Sequence, residues 1–208
     1  MATRNKMLKC FLEYPHDRPS YKIDQSNPGS DLAAEASAAL SAASIVFGLA
    51  GMTSAKNEAL SHARELFEFA DQYRGTYTSG IPDASTYYNS WSGYQDELIW
   101  GAAWLAKASG KASDRTIAEN RYNSLNGAAR EDYSWDNKKM GAQIVLYEIT
   151  GKASYKTTVQ NNVSQMKSSG PYTPGKTFCG IDAILGGVGL IADSDTGLQK
   201  YVDAVICL

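Results

Sequence analysis

Two copies of one tetrapeptide constrain this chain most. Gly110-Lys111-Ala112-Ser113 and Gly151-Lys152-Ala153-Ser154 lie 41 residues apart, each between two stretches of helical periodicity. Glycine ends helices because it enters the left-handed conformation without strain, and serine favours the start of the next helix. Each copy therefore reads as the tight turn of a helical hairpin. Self-similarity at such a period is the mark of stacked helical pairs, in which each unit buries its apolar face against its neighbours.

The rest of the chain fits that unit. Ser30-Asp31 opens a helix reaching about Phe47, with Leu32, Ala36, Ala39, Leu40 and Ala43 as its apolar stripe and Gly48 as its stop. So much alanine implies close approach of neighbouring helices. Ser54 caps a second helix, Ala55 to Tyr73, whose buried stripe is Leu60, Ala63, Leu66, Phe67 and Ala70, with Gly75 as C-cap. A polar, aromatic-rich loop of 19 residues, Thr76 to Tyr94, follows; a loop that long inside a compact domain is functional or disordered, and its aromatics argue against disorder. Then come helices over Gln95–Ser109, over Asp114–Asn126 capped by Ser113, from Asn137 to about Ile149, and from Ser154 to about Met166. These make three hairpins, 30–74, 95–126 and 137–167, and no strand alternation of any length. The fold class is all-α, repeated antiparallel hairpins in a single domain over 1–208. Past Gly170 the chain turns glycine-rich. Glycine costs a helix roughly 1 kcal/mol relative to alanine, so Ile181–Ala192 is a weak helix and Gly197–Ile206 a short last one.

Charge and cysteine usage exclude several classes. A net charge of −2 and a pI of about 5.7 give no electrostatic reason to expect nucleic acid or an anionic membrane as partner. Cys10, Cys179 and Cys207 are scattered, which is neither a zinc pattern nor a disulfide scaffold. Of the two histidines, His62 falls in a helical pattern and reads as structural. The apolar runs fall short of the roughly 20 residues a membrane span needs, and the N-terminus, charged throughout, has no apolar core of a signal peptide.

The stretch Ser85 to Lys111 concentrates the chemistry. Tyr87, Tyr88, Trp91 and Tyr94 crowd a polar loop, and Leu98, Ile99, Ala102, Leu105 and Ala106 then recur at helical spacing. Ser92 and Gln95 stand in capping-box spacing, with Asp96 and Glu97 in the first turn, where exposed amides favour negative charge. Two readings stay open here: packing aromatics above a well-capped helix, or a binding surface. Tyr and Trp offer an apolar face and a polar rim, which suits a sugar ring. Ser92, Gly93, Asp96 and Glu97 gather the oxygen donors a hard cation takes.

The run Y-N-S-W-S-G-Y-Q-D-E-L-I-W-G-A-A-W-L resembles a signature of glycoside hydrolase family 9, the inverting endo-1,4-β-glucanases. Three further stretches are similar to that family, in its order: R-P-S-Y-K-I-D through P-G-S-D-L-A-A-E (Arg18 to Glu35), H-A-R-E-L-F-E-F-A-D-Q-Y-R-G (His62 to Gly75) and S-W-D-N-K (Ser134 to Lys138). They cover roughly 14–176; residues 177–208 are atypical of the family. The resemblance implies part of an (α/α)6 toroid with a cleft at one face. It makes Tyr88, Trp91 and Trp135 substrate-binding aromatics for a β-1,4-glucan. It makes Ser92, Gly93, Asp96 and Glu97 a structural calcium site, with Asp136 as a weaker further ligand. A core position for Trp135 is the competing reading. An inverting glycosidase needs two carboxyl groups about 6.5–9.5 Å apart. In the family these lie in motifs that flank the matched region, so no residue of this chain is assigned as catalytic. The chain then reads as a fragment of an endoglucanase lacking both carboxylates, or as a catalytically dead glucan-binding helical protein. The resemblance also implies secretion of the full-length protein, and a partial toroid implies exposed apolar helix faces and self-association.

Overall fold

The structure, a computed structural model, describes residues 20–129 and 135–169. Among the described residues six long helices form three antiparallel pairs: α1 (Ser30–Leu49) with α2 (Thr53–Gln72), α3 (Gln95–Ser109) with α4 (Ala112–Ser124), and α5 (Lys139–Thr150) with α6 (Ala153–Ser169). The first helix of each pair packs on the first helix of the next, α1 on α3 and α3 on α5, so these three form an inner row; α2, α4 and α6 pack on the outside. Among the described residues there is no strand. The all-α, hairpin-repeat architecture expected from the sequence is the one observed. The weak helices expected over 181–192 and 197–206 lie outside the described residues.

α3 is the centre of the core. Leu98, Ile99, Ala103, Leu105 and Ala106 are all buried, because α1, α2, α4 and α5 each touch a different side of it. Leu60, Ala63, Leu66, Phe67 and Ala70 of α2 face inward as their spacing predicts, with Ala63, Phe67 and Ala70 fully buried.

α1 differs from expectation. Its buried face is not Leu32, Ala36, Ala39, Leu40 and Ala43 but Ala33, Ala34, Ser37, Ala38, Ser41 and Ser44; Leu32, Ala36 and Ala39 are exposed. The reason is contact distance. Small residues let the backbones approach, and two of the buried hydroxyls find partners on α2: Ser37 Oγ donates to the Ala63 carbonyl (2.7 Å) and Ser30 Oγ to the Ala70 carbonyl (2.8 Å), while Ser44 Oγ donates within α1 to the Ser41 carbonyl and Ser41 Oγ has no partner. On the α3 side, a Cβ added at Gly101 would sit 2.9 Å from the Ala34 carbonyl oxygen. A stripe drawn through the apolar side chains misses this, because serine is polar by composition yet small enough to be buried at a close helix contact. α1 is also long and apolar enough, by length and composition alone, to cross a membrane, contrary to the reading of short apolar runs.

Boundaries shift by a few residues where a cap was inferred. α1 continues through Gly48 to Leu49, and the positive φ falls on Gly51. Met52 and Lys111, rather than Ser54 and Ser113, occupy the N-cap positions of α2 and α4. Gly75 is not the α2 C-cap, which is Tyr73; it lies under Pro28 and exchanges hydrogen bonds with Ser30 instead. The twin turns hold. Gly110 and Gly151 are both left-handed C-caps (φ 65° and 68°), and each following lysine N–H donates to the hydroxyl of the last helical residue, Ser109 or Thr150.

Candidate functional site

The N-termini of α1, α3 and α5 meet at one end of the stack, opposite the glycine turns. The connections there are long. The segment 76–94 is not a bare loop: it folds into a helical turn, Tyr77–Gly80, and a 3-10 turn, Pro82–Thr86. It lies across the inner helices together with Trp135 and Asp136.

The aromatics of this surface face solvent. Tyr87, Tyr88, Trp91 and Trp135 are 81%, 68%, 77% and 57% exposed. The core reading of Trp135 is thereby excluded. Tyr88 and Trp135, 47 residues apart in sequence, meet edge to face with ring centroids 5.9 Å apart. Exposed rings of this size, two of them in contact, make this end a candidate interaction surface.

Carboxylates hold that surface in place. The Asp136 carboxylate accepts the backbone N–H groups of Trp91 (3.1 Å) and Ser92 (2.7 Å), tying the aromatic loop to the α5 approach. Asp31, in the first turn of α1, accepts the Tyr77 N–H at 3.1 and 3.2 Å, and burial pushes its carboxyl above the usual range. The Tyr77 hydroxyl in turn donates to the Tyr88 carbonyl.

The Ser92–Gln95 capping box does not form. Tyr94 is the N-cap of α3, and no side chain caps the helix. Gln95 folds back so that its carbonyl accepts the Tyr94 N–H (3.3 Å). Ser92 is drawn away: its hydroxyl reaches Asp96 Oδ1 (3.2 Å) and donates to the Asp136 carbonyl. Asp96 Oδ2 accepts the Lys138 N–H at 2.7 Å, joining the α3 start to the α5 start. Gly93 has a positive φ of 87°, and its carbonyl accepts the Ser90 hydroxyl. Of the residues expected to ligate a cation, Ser92, Asp96 and Glu97 come together with the backbone carbonyl of Asp136. The Asp136 carboxylate is committed to the loop amides, and the Gly93 carbonyl to Ser90.

The profile of glycosyl hydrolase family 9 matches residues 3–198. The chain belongs to glycosyl hydrolase family 9. It is 49% identical over 146 residues to endoglucanase B of Cellulomonas fimi, which covers 66% of this chain and 14% of that protein. Among solved structures it superposes on the endoglucanase of the termite Nasutitermes takasagoensis with a TM-score of 0.80 at 36% identity, over 92% of this chain and 46% of that one. A second likeness is the Clostridium thermocellum endoglucanase CelQ complexed with cellotetraose, with a TM-score of 0.69 at 27% identity, over 93% of this chain and 34% of that chain. The chain thus spans less than half the length of each of these relatives. Its helices are those of the family's (α/α)6 barrel.

In this family 9 chain the buried pair Asp96–Glu97 is the electrostatic anomaly. Asp96 is fully buried, and Glu97 is 4% exposed with its Oε2 left without a hydrogen-bond partner. Burial, then the adjacent Asp96 charge and its hydrogen bond, pushes the Glu97 carboxyl far above the usual range; burial raises Asp96 as well. Two abutting buried carboxyls remain charged only if a cation shares them. Among the described residues no group of three or more His, Cys, Asp and Glu side chains converges as a metal site. The set here is mixed instead: the Ser92 hydroxyl, the Asp96 and Glu97 carboxyls and the Asp136 carbonyl. All-oxygen donors of mixed type suit a hard cation such as calcium. The orphaned Glu97 oxygen is the observation that fits one.

Sequence reasoning missed Asp31, Glu35, Tyr77 and Lys138 as parts of this surface. Asp31 and Glu35 stood inside a quoted motif, but their partners lie 46 and 103 residues away. No local pattern announces such pairs.

Proposed function

We propose that this chain supplies the glucan-binding face of an endo-1,4-β-glucanase of inverting type. Tyr88, Trp91 and Trp135 lie along a β-1,4-glucan, their rings against the C–H faces of the sugars. The observation that carries this reading is the exposure of those rings together at the mouth of the inner helices in a family 9 fold. The endoglucanase relatives and the cellotetraose complex of CelQ support the same substrate class. No residue of this chain is assigned as acid or base, and hydrolysis belongs to carboxylates outside those discussed above. Titration of the 208-residue chain with cellohexaose tests the reading. Binding that Trp91→Ala and Trp135→Ala each weaken, with no release of reducing sugar, is the expected result. Absence of any binding overturns the glucan reading, and reducing-sugar release would place catalytic carboxylates within this chain.

Calcium belongs to the same proposal. Ser92, Asp96, Glu97 and the Asp136 carbonyl would hold it, with Gly93 beside them. When bound, the ion supplies the positive charge that lets both carboxyls ionise while buried. The chain's own share is to bring the Trp91–Gly93 loop, the α3 start and the α5 approach to one point, so that the loop cannot drift from the helix mouth. Binding to the native state alone raises its stability by mass action. Calcium should raise the melting temperature of the wild-type chain, magnesium should do so less, and Glu97→Gln should abolish the difference. Equal melting with calcium and with a chelator would remove the ion from the reading.

A further inference from the structure

Glu35 is one helical turn beyond Asp31, so the two carboxylates stand on the same side of α1. Each reaches a different aromatic-bearing segment. Asp31 holds the Tyr77 N–H, and Tyr77 holds the Tyr88 carbonyl. Glu35 pairs with the Lys138 ammonium at 2.9 Å, and that ammonium donates to the Trp135 carbonyl. The Tyr88 and Trp135 rings then close the circuit edge to face. The path runs from α1 to Tyr77, to Tyr88, to Trp135, to Lys138 and back to α1. Inside it lies a small cavity of about 80 Å³ lined by Asp31, Glu35, Tyr77 and Trp135 among others.

The geometry points to Asp31 and Glu35 as positioning residues for the glucan-binding rings. One turn of α1 fixes the separation of two segments that are 47 residues apart in sequence, and with it the spacing at which Tyr88 and Trp135 present themselves to a sugar chain. This rests on the glucan reading above and adds what sets the register of that surface. Ring stacking depends on placement, because a face tilted or shifted from the sugar loses contact area directly. The two residues differ in how they can be tested. Asp31 is buried, and its loss would disturb the fold; Glu35 is 43% exposed in its side chain and leaves no hole.

The experiment is therefore built on Glu35. Cellohexaose affinity is measured by calorimetric titration for the full chain, Glu35→Ala, Glu35→Gln, Trp135→Ala and the Glu35→Ala/Trp135→Ala double variant, with thermal melts alongside. Glu35→Ala should lower affinity about fivefold while melting within about 2 °C of the parent, because the Glu35 side chain is 43% exposed and the Lys138 ammonium keeps its bond to the Trp135 carbonyl. Glu35→Gln, which still accepts from Lys138, should recover most of that loss. The double variant should bind no worse than Trp135→Ala alone, since Glu35 acts through that ring. A parent that binds with Glu35→Ala unchanged, or losses that simply add in the double variant, would overturn the positioning role and leave the glucan reading standing. A parent that does not bind removes both.

Discussion

The two ends of the helix stack are built by different physics. At the turn end the connections are a few residues long and settle themselves locally. Gly110 and Gly151 take left-handed φ, a following lysine N–H finds a hydroxyl two residues back, and a Cβ at either glycine would meet nothing within 4 Å. At the aromatic end each connection is pinned by carboxylates from elsewhere in the chain: Asp31 to Tyr77, Asp96 to Lys138 and Asp136 to Trp91 and Ser92. The turn end sets its backbone by local conformation, and ion pairs to neighbouring hairpins, Lys152 to Glu119 and Arg64 to Asp114, are added on its surface. The aromatic end depends on buried charge and long-range pairing, and it carries the exposed rings.

That contrast predicts a graded response. Asp96→Ala should have the largest effect, because it strands the half-buried Lys138 N–H and the buried Glu97 carboxyl at once. A loss of about 3 kcal/mol is expected in urea unfolding, along with any stabilisation by calcium. A loss under 1 kcal/mol would mean that the aromatic end is no more cooperative than the turns.

Acid should act next, through the outer helices. Two bidentate ion pairs join α2 to α4: Arg64 to Asp114 (2.6 and 3.1 Å) and Arg121 to Asp71 (2.5 and 2.8 Å). Burial alone would raise both carboxyls, but the guanidiniums outweigh it and hold them below the usual range. Because their folded pKa values lie below the unfolded ones, these groups contribute stability above about pH 4. That contribution disappears as pH falls through the lowered values. The melting temperature should drop below pH 4, and Asp71→Asn with Asp114→Asn should flatten the drop. An unchanged slope in the double variant would assign acid sensitivity to other groups.

Gly110→Ala and Gly151→Ala should each cost about 1 kcal/mol, the price of a left-handed alanine. With open space around both, the losses should add in the double variant. Coupling between them in urea melts would show that the turn end is not local after all.

Smallest of all should be the effect of Trp91→Ala on stability, within about 0.5 kcal/mol, since the ring is mostly exposed. A large destabilisation would make Trp91 a packing residue and weaken the glucan reading.

How far the sequence could be read follows the same division. Helix existence, the hairpin turns and the buried face of α3 repeat at short spacing, and periodicity exposes them. The face of α1 was misread because its contacts are made by serine and alanine, whose burial depends on what approaches them. The capping box at Ser92 was legible as a pattern and absent as a bond, because Asp96 and the Asp136 carbonyl compete for the same hydroxyl. The candidate aromatics were legible by type; that Tyr88 and Trp135 share one surface was not.

By itself, then, the sequence determined helices, their pairing and a family, since hydrogen bonding from i to i+4 and glycine conformation act within a few residues. Tertiary structure alone decided which face of α1 is buried, which oxygens gather around Glu97 and how two distant rings come to lie side by side. Those outcomes depend on backbone approach and on charges brought together from three helix starts, and no short window of residues contains them.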